Sequence, residues 1–216
     1  MKIAIMGFGT VGTGVEEILY KKRKDLLKNN FDIEIERILI KNINKERNPH
    51  DKTLIFTDNF DEILNSSVET VIDVTSNLEE TYERIVKLMK SGKNIVTANK
   101  AVVSKYFEDL NELARENNVY FAYEAAVAGA IPIIHPLMEE VFFNDIYEIS
   151  GILNGTSNYI LSKMEREGSS YKDVLKEAQD LGYAEADPTA DVGGFDAMRK
   201  IRILSSLIYN AKIKED

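Results

Sequence analysis

The chain has 216 residues, 44% hydrophobic and 29% charged, which is enough apolar side chain for one large domain or two small ones and excludes a disordered polymer. A formal net charge of −9 with no basic stripe speaks against nucleic acid or an anionic membrane as partner. Cysteine is absent, which removes disulfides, thiolate metal sites and any reaction through a thioester. No apolar run approaches the ~18 residues of a membrane span and no signal-peptide pattern opens the chain, so the cytoplasm is the expected setting.

Lys2 to Met6 reads as a short buried strand, followed by Gly7-Phe8-Gly9-Thr10-Val11-Gly12 and a helix carrying Val15, Ile18, Leu19, Leu26 and Leu27. The run Lys21, Lys22, Arg23, Lys24 reads as the solvated end of that helix. Strands are expected at Ile33–Ile40, Thr70–Val74, Asn94–Thr97 and Val119–Ala122, with helices at Glu79–Lys90 and Tyr106–Asn117. Strands alternating with helices predict an α/β fold with a doubly wound parallel sheet. The pattern changes after Glu124. A helix over Ala130–Val141, a longer alternating strand over Asp145–Leu153, and helices at Ser157–Glu167, Tyr171–Leu181 and Gly194–Asn210 follow. The domain boundary falls near residue 130.

A glycine run between a strand and a helix is the dinucleotide fingerprint in its proper context. Gly7 permits the tight turn, Gly9 lets backbone approach a pyrophosphate, and Gly12 lets helix pack on strand. The alternative is a glycine-rich turn without a ligand. Where an acid would bond the ribose 2′-hydroxyl of NAD, the sequence has Lys41 and Asn42, with Lys45 and Arg47 close behind. A cation there suits the 2′-phosphate of NADP, although a solvated loop charge has the same sequence, so NADP is favoured with NAD also possible.

Three later segments carry chemistry. Thr97-Ala98-Asn99-Lys100 sits at the carboxyl end of a strand, where ligands of such sheets bind; Lys100 either faces them or is a surface lysine. Gly151-Ile152-Leu153-Asn154-Gly155-Thr156 is a small-residue turn whose N–H groups suit a carboxylate, or a plain capped helix start. The run Leu181 to Lys200 holds Glu185, Asp187, Asp191, Asp196 and Lys200 among glycines and proline. Asp196 and Lys200 lie at i and i+4 on one helix face. Such a lysine delivers a proton to a carbonyl oxygen as hydride arrives, or is an ordinary ion pair. A substrate amine would want an acid, Glu185 first and Asp191 second.

Together these segments resemble the homoserine dehydrogenase family. The carriers are the glycine-rich start, Thr97–Lys100, Glu124-Ala125-Ala126-Val127 through Ile131-Pro132, Gly151–Thr156 and Leu181–Lys200, in family order over nearly the whole chain. The resemblance implies a Rossmann-type NAD(P)-binding domain at 1–130 and a smaller α+β catalytic and dimerisation domain at 131–216. It also implies interconversion of L-homoserine and L-aspartate 4-semialdehyde, serving threonine, methionine and isoleucine biosynthesis, by a homodimer.

By the same resemblance Lys200 is the proton donor and acceptor, with Asp196 beside it. Glu185 holds the substrate amine, Asp191 supports that site, and Asn154, Gly155 and Thr156 bind substrate. Lys100 lies between nicotinamide and substrate. Gly7, Phe8, Gly9, Thr10, Val11, Gly12, Lys41, Thr75 and Ser76 line the cofactor. A sodium-type site is implied at Glu124 and the carbonyls of Val127, Gly129 and Ile131, an all-oxygen set that a hard monovalent cation prefers. Residues Val74 to Asn77 depart from the glycine-containing segment of many relatives. The sequence stops at Asp216, where relatives run on, so the catalytic domain is expected to be truncated, with reduced stability or activity. His50 and His135 lie outside the acidic cluster and read as structural or solvated. Another oxidoreductase on a small amino or sugar acid, and a non-catalytic nucleotide-binding fragment, are the competing readings.

Overall fold

Four consecutive apolar side chains, Ile3, Ala4, Ile5 and Met6, are at most 2% exposed. They belong to β1 (Lys2–Met6), which is apolar on both faces, as a strand covered by helices on two sides must be. The computed structural model describes residues 1–184 and 186–214. In it, β1 lies inside a six-stranded sheet with β2 (Glu34–Leu39), β3 (Phe56–Thr57), β4 (Thr70–Asp73), β5 (Asn94–Thr97) and β6 (Phe121–Ala122). The order is β3-β2-β1-β4-β5-β6, and every pairing is parallel. This is the doubly wound sheet expected from the alternation of elements, with its switch of direction between β1 and β4. Two-residue β3, at the edge, has too little periodicity to be read from sequence.

Five helices accompany the sheet: α1 (Thr10–Lys28), α2 (Asp61–Leu64), α3 (Glu79–Lys90), α4 (Lys100–Lys105) and α5 (Phe107–Glu116). The helix α3 begins and ends where the spacing predicts. The lysine-rich run falls within α1, which continues to Lys28. One expectation about α1 is overturned: Ile18 is 62% exposed while Glu16 is fully buried. The β2–β3 loop supplies the reason, because its hydrogen bonds to Glu16 make burial of that carboxylate tolerable.

The chain divides into two compact units, Met1–Ala126 and Val127–Asp216. In the second, the elements are α6 (Ile134–Glu140), α7 (Gly155–Glu167), α8 (Tyr171–Asp180), α9 (Thr189–Val192) and α10 (Phe195–Tyr209). Ile160, Val174, Ala178 and Ala184 form a buried cluster, with Tyr159, Met164 and Leu175 packed against it. The strand expected at Asp145–Leu153 is not formed. Alternation fixes which face a strand would bury, but a strand exists only when a neighbour takes its N–H and C=O groups. No such ladder is present for this segment among the described residues, and Tyr147 and Ile152 are 88% and 77% exposed. Among the described residues, no helix is long and apolar enough to cross a membrane.

Candidate functional site

In the first unit, Met6 at the end of β1 lies opposite Leu39 of β2 and Asp73 of β4. The chain therefore leaves β1 at the switch point of the sheet, where doubly wound folds bind ligands. Gly7 donates its N–H to Leu39 O at 2.9 Å and has φ +101°; a Cβ there would stand 2.9 Å from Val74 O. A Cβ on Gly12 would stand 2.3 Å from Gly7 O. Both positions thus need glycine for the turn itself. Gly9 differs: beyond its own chain neighbours, nothing lies within 4 Å of where its Cβ would be. Gly9 precedes α1 without a capping side chain, and the first turn of α1 contains no acid. The free N–H groups and positive end of a 19-residue helix are suited to a phosphate. Thr10 and Val11 are exposed, while Phe8 is half-buried and set edge-on to Phe56 at 5.1 Å.

A buried network joins the carboxyl ends of β4 and β5. Asp73, fully buried, accepts from Thr75 N at 3.1 Å and Thr75 Oγ1 at 2.6 Å. Its other oxygen accepts from Thr97 Oγ1 at 2.7 Å. Burial pushes the Asp73 carboxyl up, against the pull of the hydrogen bonds from Thr75 and Thr97 and the charge of Arg84. Asn99 donates from Nδ2 to Thr75 O and Asn77 O, both at 3.1 Å, and its Oδ1 caps α4 by accepting from Val102 N at 3.2 Å. This network holds the 74–77 turn against the Thr97–Lys100 turn. Thr75 donates its hydroxyl to Asp73 and accepts from the Thr81 hydroxyl, Ser76 is exposed, and half-buried Lys100 opens α4. Asp73 was not singled out from sequence; an acid ending an apolar strand, with a threonine two residues on, was the available signal.

The loop from β2 to β3 holds Lys41, Lys45 and Arg47. Lys41 and Lys45 are exposed. Arg47 donates to Asn42 O at 2.9 Å and Lys45 O at 2.6 Å, bracing the loop from within. Glu16 accepts from His50 N at 3.2 Å and Asp51 N at 2.9 Å, and pairs with His50 Nδ1 at 3.0 Å. Sequence reasoning missed Glu16 as well; its place four residues after Gly12, on the face that packs on the sheet, was the clue.

In the second unit, the Gly151–Thr156 turn and the Leu181–Lys200 run come together. Asn154 caps α7, accepting from Ser157 N at 2.7 Å. Its Nδ2 donates to Asp191 Oδ1 at 2.7 Å and Asp196 Oδ2 at 2.9 Å. The same Asp196 oxygen lies 2.6 Å from Lys200 Nζ, which also donates to Leu153 O. The Lys200 and Asp196 side chains are only 17% and 12% exposed, so the ion pair sits in a low-dielectric setting. Thr156 donates its hydroxyl to Tyr183 O at 2.7 Å, and Gly155 is exposed. The Asn154 amide and Thr156 hydroxyl are therefore engaged within the protein. Glu185 lies outside the described residues.

Glu124 begins a 3-10 turn, Glu124–Ala126. After it, Ala128 and Gly129 have φ of 60° and 59°, and Ile131 N donates to Ala128 O at 3.1 Å. Left-handed backbone at an alanine costs about 1–2 kcal/mol, so this bend is held by its surroundings. His135 lies 3.5 Å from Glu139. Among the described residues, no group of three or more His, Asp or Glu side chains is placed to hold a metal ion.

A family model described as homoserine dehydrogenase, NAD binding domain, matches residues 7–124, and one described as homoserine dehydrogenase matches residues 132–216. The homoserine dehydrogenase of Synechocystis sp. is 42% identical over 219 residues, covering 100% of this chain and 50% of that protein. The solved homoserine dehydrogenase of Thiobacillus denitrificans superposes with a TM-score of 0.89 at 36% identity, over 99% of this chain and 50% of that one. A hyperthermophilic archaeal homoserine dehydrogenase in complex with NADPH superposes with a TM-score of 0.85 at 28% identity, over 97% and 70%. The chain spans about half the length of the curated relatives it matches.

Proposed function

The chain belongs to the homoserine dehydrogenase family, and from that premise we propose that it carries out the NAD(P)-dependent interconversion of L-homoserine and L-aspartate 4-semialdehyde, within threonine, methionine and isoleucine biosynthesis. The observation that carries the reading is the Asn154–Asp196–Lys200 chain: a sheltered ammonium held by one carboxylate. Asp196 Oδ2 and Leu153 O account for two of its three hydrogens, and the third is directed to the substrate oxygen. In the reducing direction, a nicotinamide cofactor held by the first unit's residues would supply the hydride. Lys200 gives a proton to the oxygen, and its charge stabilises the alkoxide as it forms. In the oxidising direction Lys200 takes that proton back.

Asp196 orients Lys200 through their contact at 2.6 Å. Glu185 and then Asp191 pair with the substrate amine. Main-chain N–H groups around Asn154, Gly155 and Thr156, at the positive end of α7, take the carboxylate. Lys100 shares the acid–base work.

The cofactor is assigned to the first unit, at Gly7, Phe8, Gly9, Thr10, Val11, Gly12, Thr75 and Ser76, with Lys41 beside the 2′-phosphate. NADP is favoured on that cation, and NAD remains a substrate. A sodium-type cation on Glu124 and the carbonyls of Val127, Gly129 and Ile131 fits by donor chemistry, since every ligand is a hard oxygen; its role is structural. The reading extends to a homodimer in the cytoplasm. The test is homoserine-dependent absorbance at the nicotinamide band with both cofactors, for the parent and Lys200→Ala. Turnover in the parent and none in the variant is expected. A parent that binds cofactor yet shows no substrate-dependent signal overturns the catalytic reading.

A further inference from the structure

A fully buried carboxylate in a dinucleotide-binding helix, away from the glycine turn, needs a reason. Glu16 lies six residues into α1, about 9 Å along the axis from its start. All three of its hydrogen-bond donors come from one place. His50 N, His50 Nδ1 and Asp51 N, at 3.2, 3.0 and 2.9 Å, belong to the loop that leaves β2 with Lys41, Lys45 and Arg47. Hydrogen bonds to a buried charged acceptor are about twice as strong as neutral ones. They tie the far end of the loop to the helix whose N-terminus the phosphates approach. The near end is tied too, since Gly7 N–H bonds Leu39 O at 2.9 Å, two residues before Lys41. Between these anchors, Arg47 clamps Asn42 O and Lys45 O. Tyr20 of α1 lies 5.9 Å from the His50 ring, centroid to centroid, closing the same contact from the next turn. The loop is thus anchored on the glycine turn and on α1, and braced from within by Arg47, while Ile40 N bonds Thr57 O of β3 at 2.8 Å.

We propose that Glu16 is a specificity-determining positioning residue, which sets the NADP over NAD preference by fixing the β2–β3 loop without itself touching the cofactor. This inference rests on the reading that Lys41 meets the 2′-phosphate. Loosening the loop withdraws a cation from the one group by which the two cofactors differ, so discrimination is lost while the shared pyrophosphate contacts at Gly9 to Gly12 persist.

The test is titration of the full 216-residue chain with NADPH and with NADH, followed by nicotinamide fluorescence. Glu16→Ala is expected to weaken NADPH about tenfold and NADH less than about twofold. Glu16→Gln, which keeps an acceptor for Asp51 N, retains most of the preference. His50→Ala removes the ring bond and the Tyr20 ring contact but leaves both main-chain donors, and shifts the ratio in the same direction by less, so it and Glu16→Gln carry the test if Glu16→Ala fails to fold. Equal weakening of both cofactors marks a merely structural role and overturns the proposal. Lys41→Ala separates the two layers. If it loses the preference and the Glu16 and His50 variants keep it, the proposal alone falls. If Lys41→Ala itself keeps the parent ratio, the reading of Lys41 falls and takes the proposal with it.

Discussion

Asn154 donates to Asp196 at 2.9 Å across 42 positions of sequence, and the oxygen it reaches is the one that holds Lys200. The cap of one helix therefore orients the ion pair of another. The same amide bonds Asp191 at 2.7 Å, so Asn154 also bridges two carboxylates.

Replacing Asn154 with alanine removes a helix cap and two bonds to carboxylates, an expected loss of about 2–4 kcal/mol. Urea unfolding measures it. Asn154→Asp keeps the cap but sets a third carboxylate beside Asp191 and Asp196, so its loss should shrink as added salt screens the repulsion. A salt-independent loss contradicts the assignment of Nδ2 to those oxygens.

Lys200 and Asp196 should behave as a coupled unit. Asp196→Ala leaves a sheltered ammonium without its carboxylate, at an expected cost of about 3 kcal/mol. Lys200→Met leaves Asp196 with the Asn154 amide and costs less. The double variant should recover about 1–3 kcal/mol relative to the sum of the singles. Strict additivity in a denaturant-based double-mutant cycle would show that the pair contributes nothing beyond its parts.

The glycines of the first turn should separate folding from binding. Gly12→Ala drives a Cβ into Gly7 O, a backbone clash that shifts the turn and lowers the thermal midpoint by at least about 5 °C. Gly9→Ala meets nothing within 4 Å, so the midpoint should hold while NADPH affinity falls about tenfold or more. Calorimetry beside cofactor titration reads both, and an unaltered affinity for Gly9→Ala would remove that position from the phosphate site.

Asp73 supplies a pH signature. Burial raises its carboxyl above its ordinary value of 3.8, with hydrogen bonds from Thr75 and Thr97 opposing. A raised acid binds its proton more tightly folded than unfolded, so its contribution to stability is present below 3.8 and is lost as pH rises through the folded value. Asp73→Asn cannot ionise. Its unfolding midpoint relative to the parent should therefore improve as pH rises above 3.8. A difference that shrinks over that range reverses the assignment.

The doubly wound parallel class of the sheet and the glycine turn were legible because each rests on local pattern: apolar runs, helical spacing, and glycines whose need is covalent and steric; the strand order and the short edge strand β3 were not. The β4-to-α3 and β5 boundaries were readable for the same reason. The Asp145–Leu153 strand was misread because alternation describes a strand's faces and says nothing about whether a ladder partner exists. α4 was missed because its six residues, Lys100–Lys105, are too few for a period.

For the site, residue types and order pointed to Lys200, Asp196 and Asn154, since a lysine four residues after an aspartate shares its face on any helix. Which oxygen meets which nitrogen was not there to read. That Asn154 bridges two acids, that Thr156 gives its hydroxyl to Tyr183, and that Glu16 and Asp73 are buried and satisfied are decided by chain segments brought together from 24 to 42 positions away. Local propensity is a property of neighbours in sequence. Desolvating a charge and supplying its donors requires neighbours in space, and only the folded chain provides them.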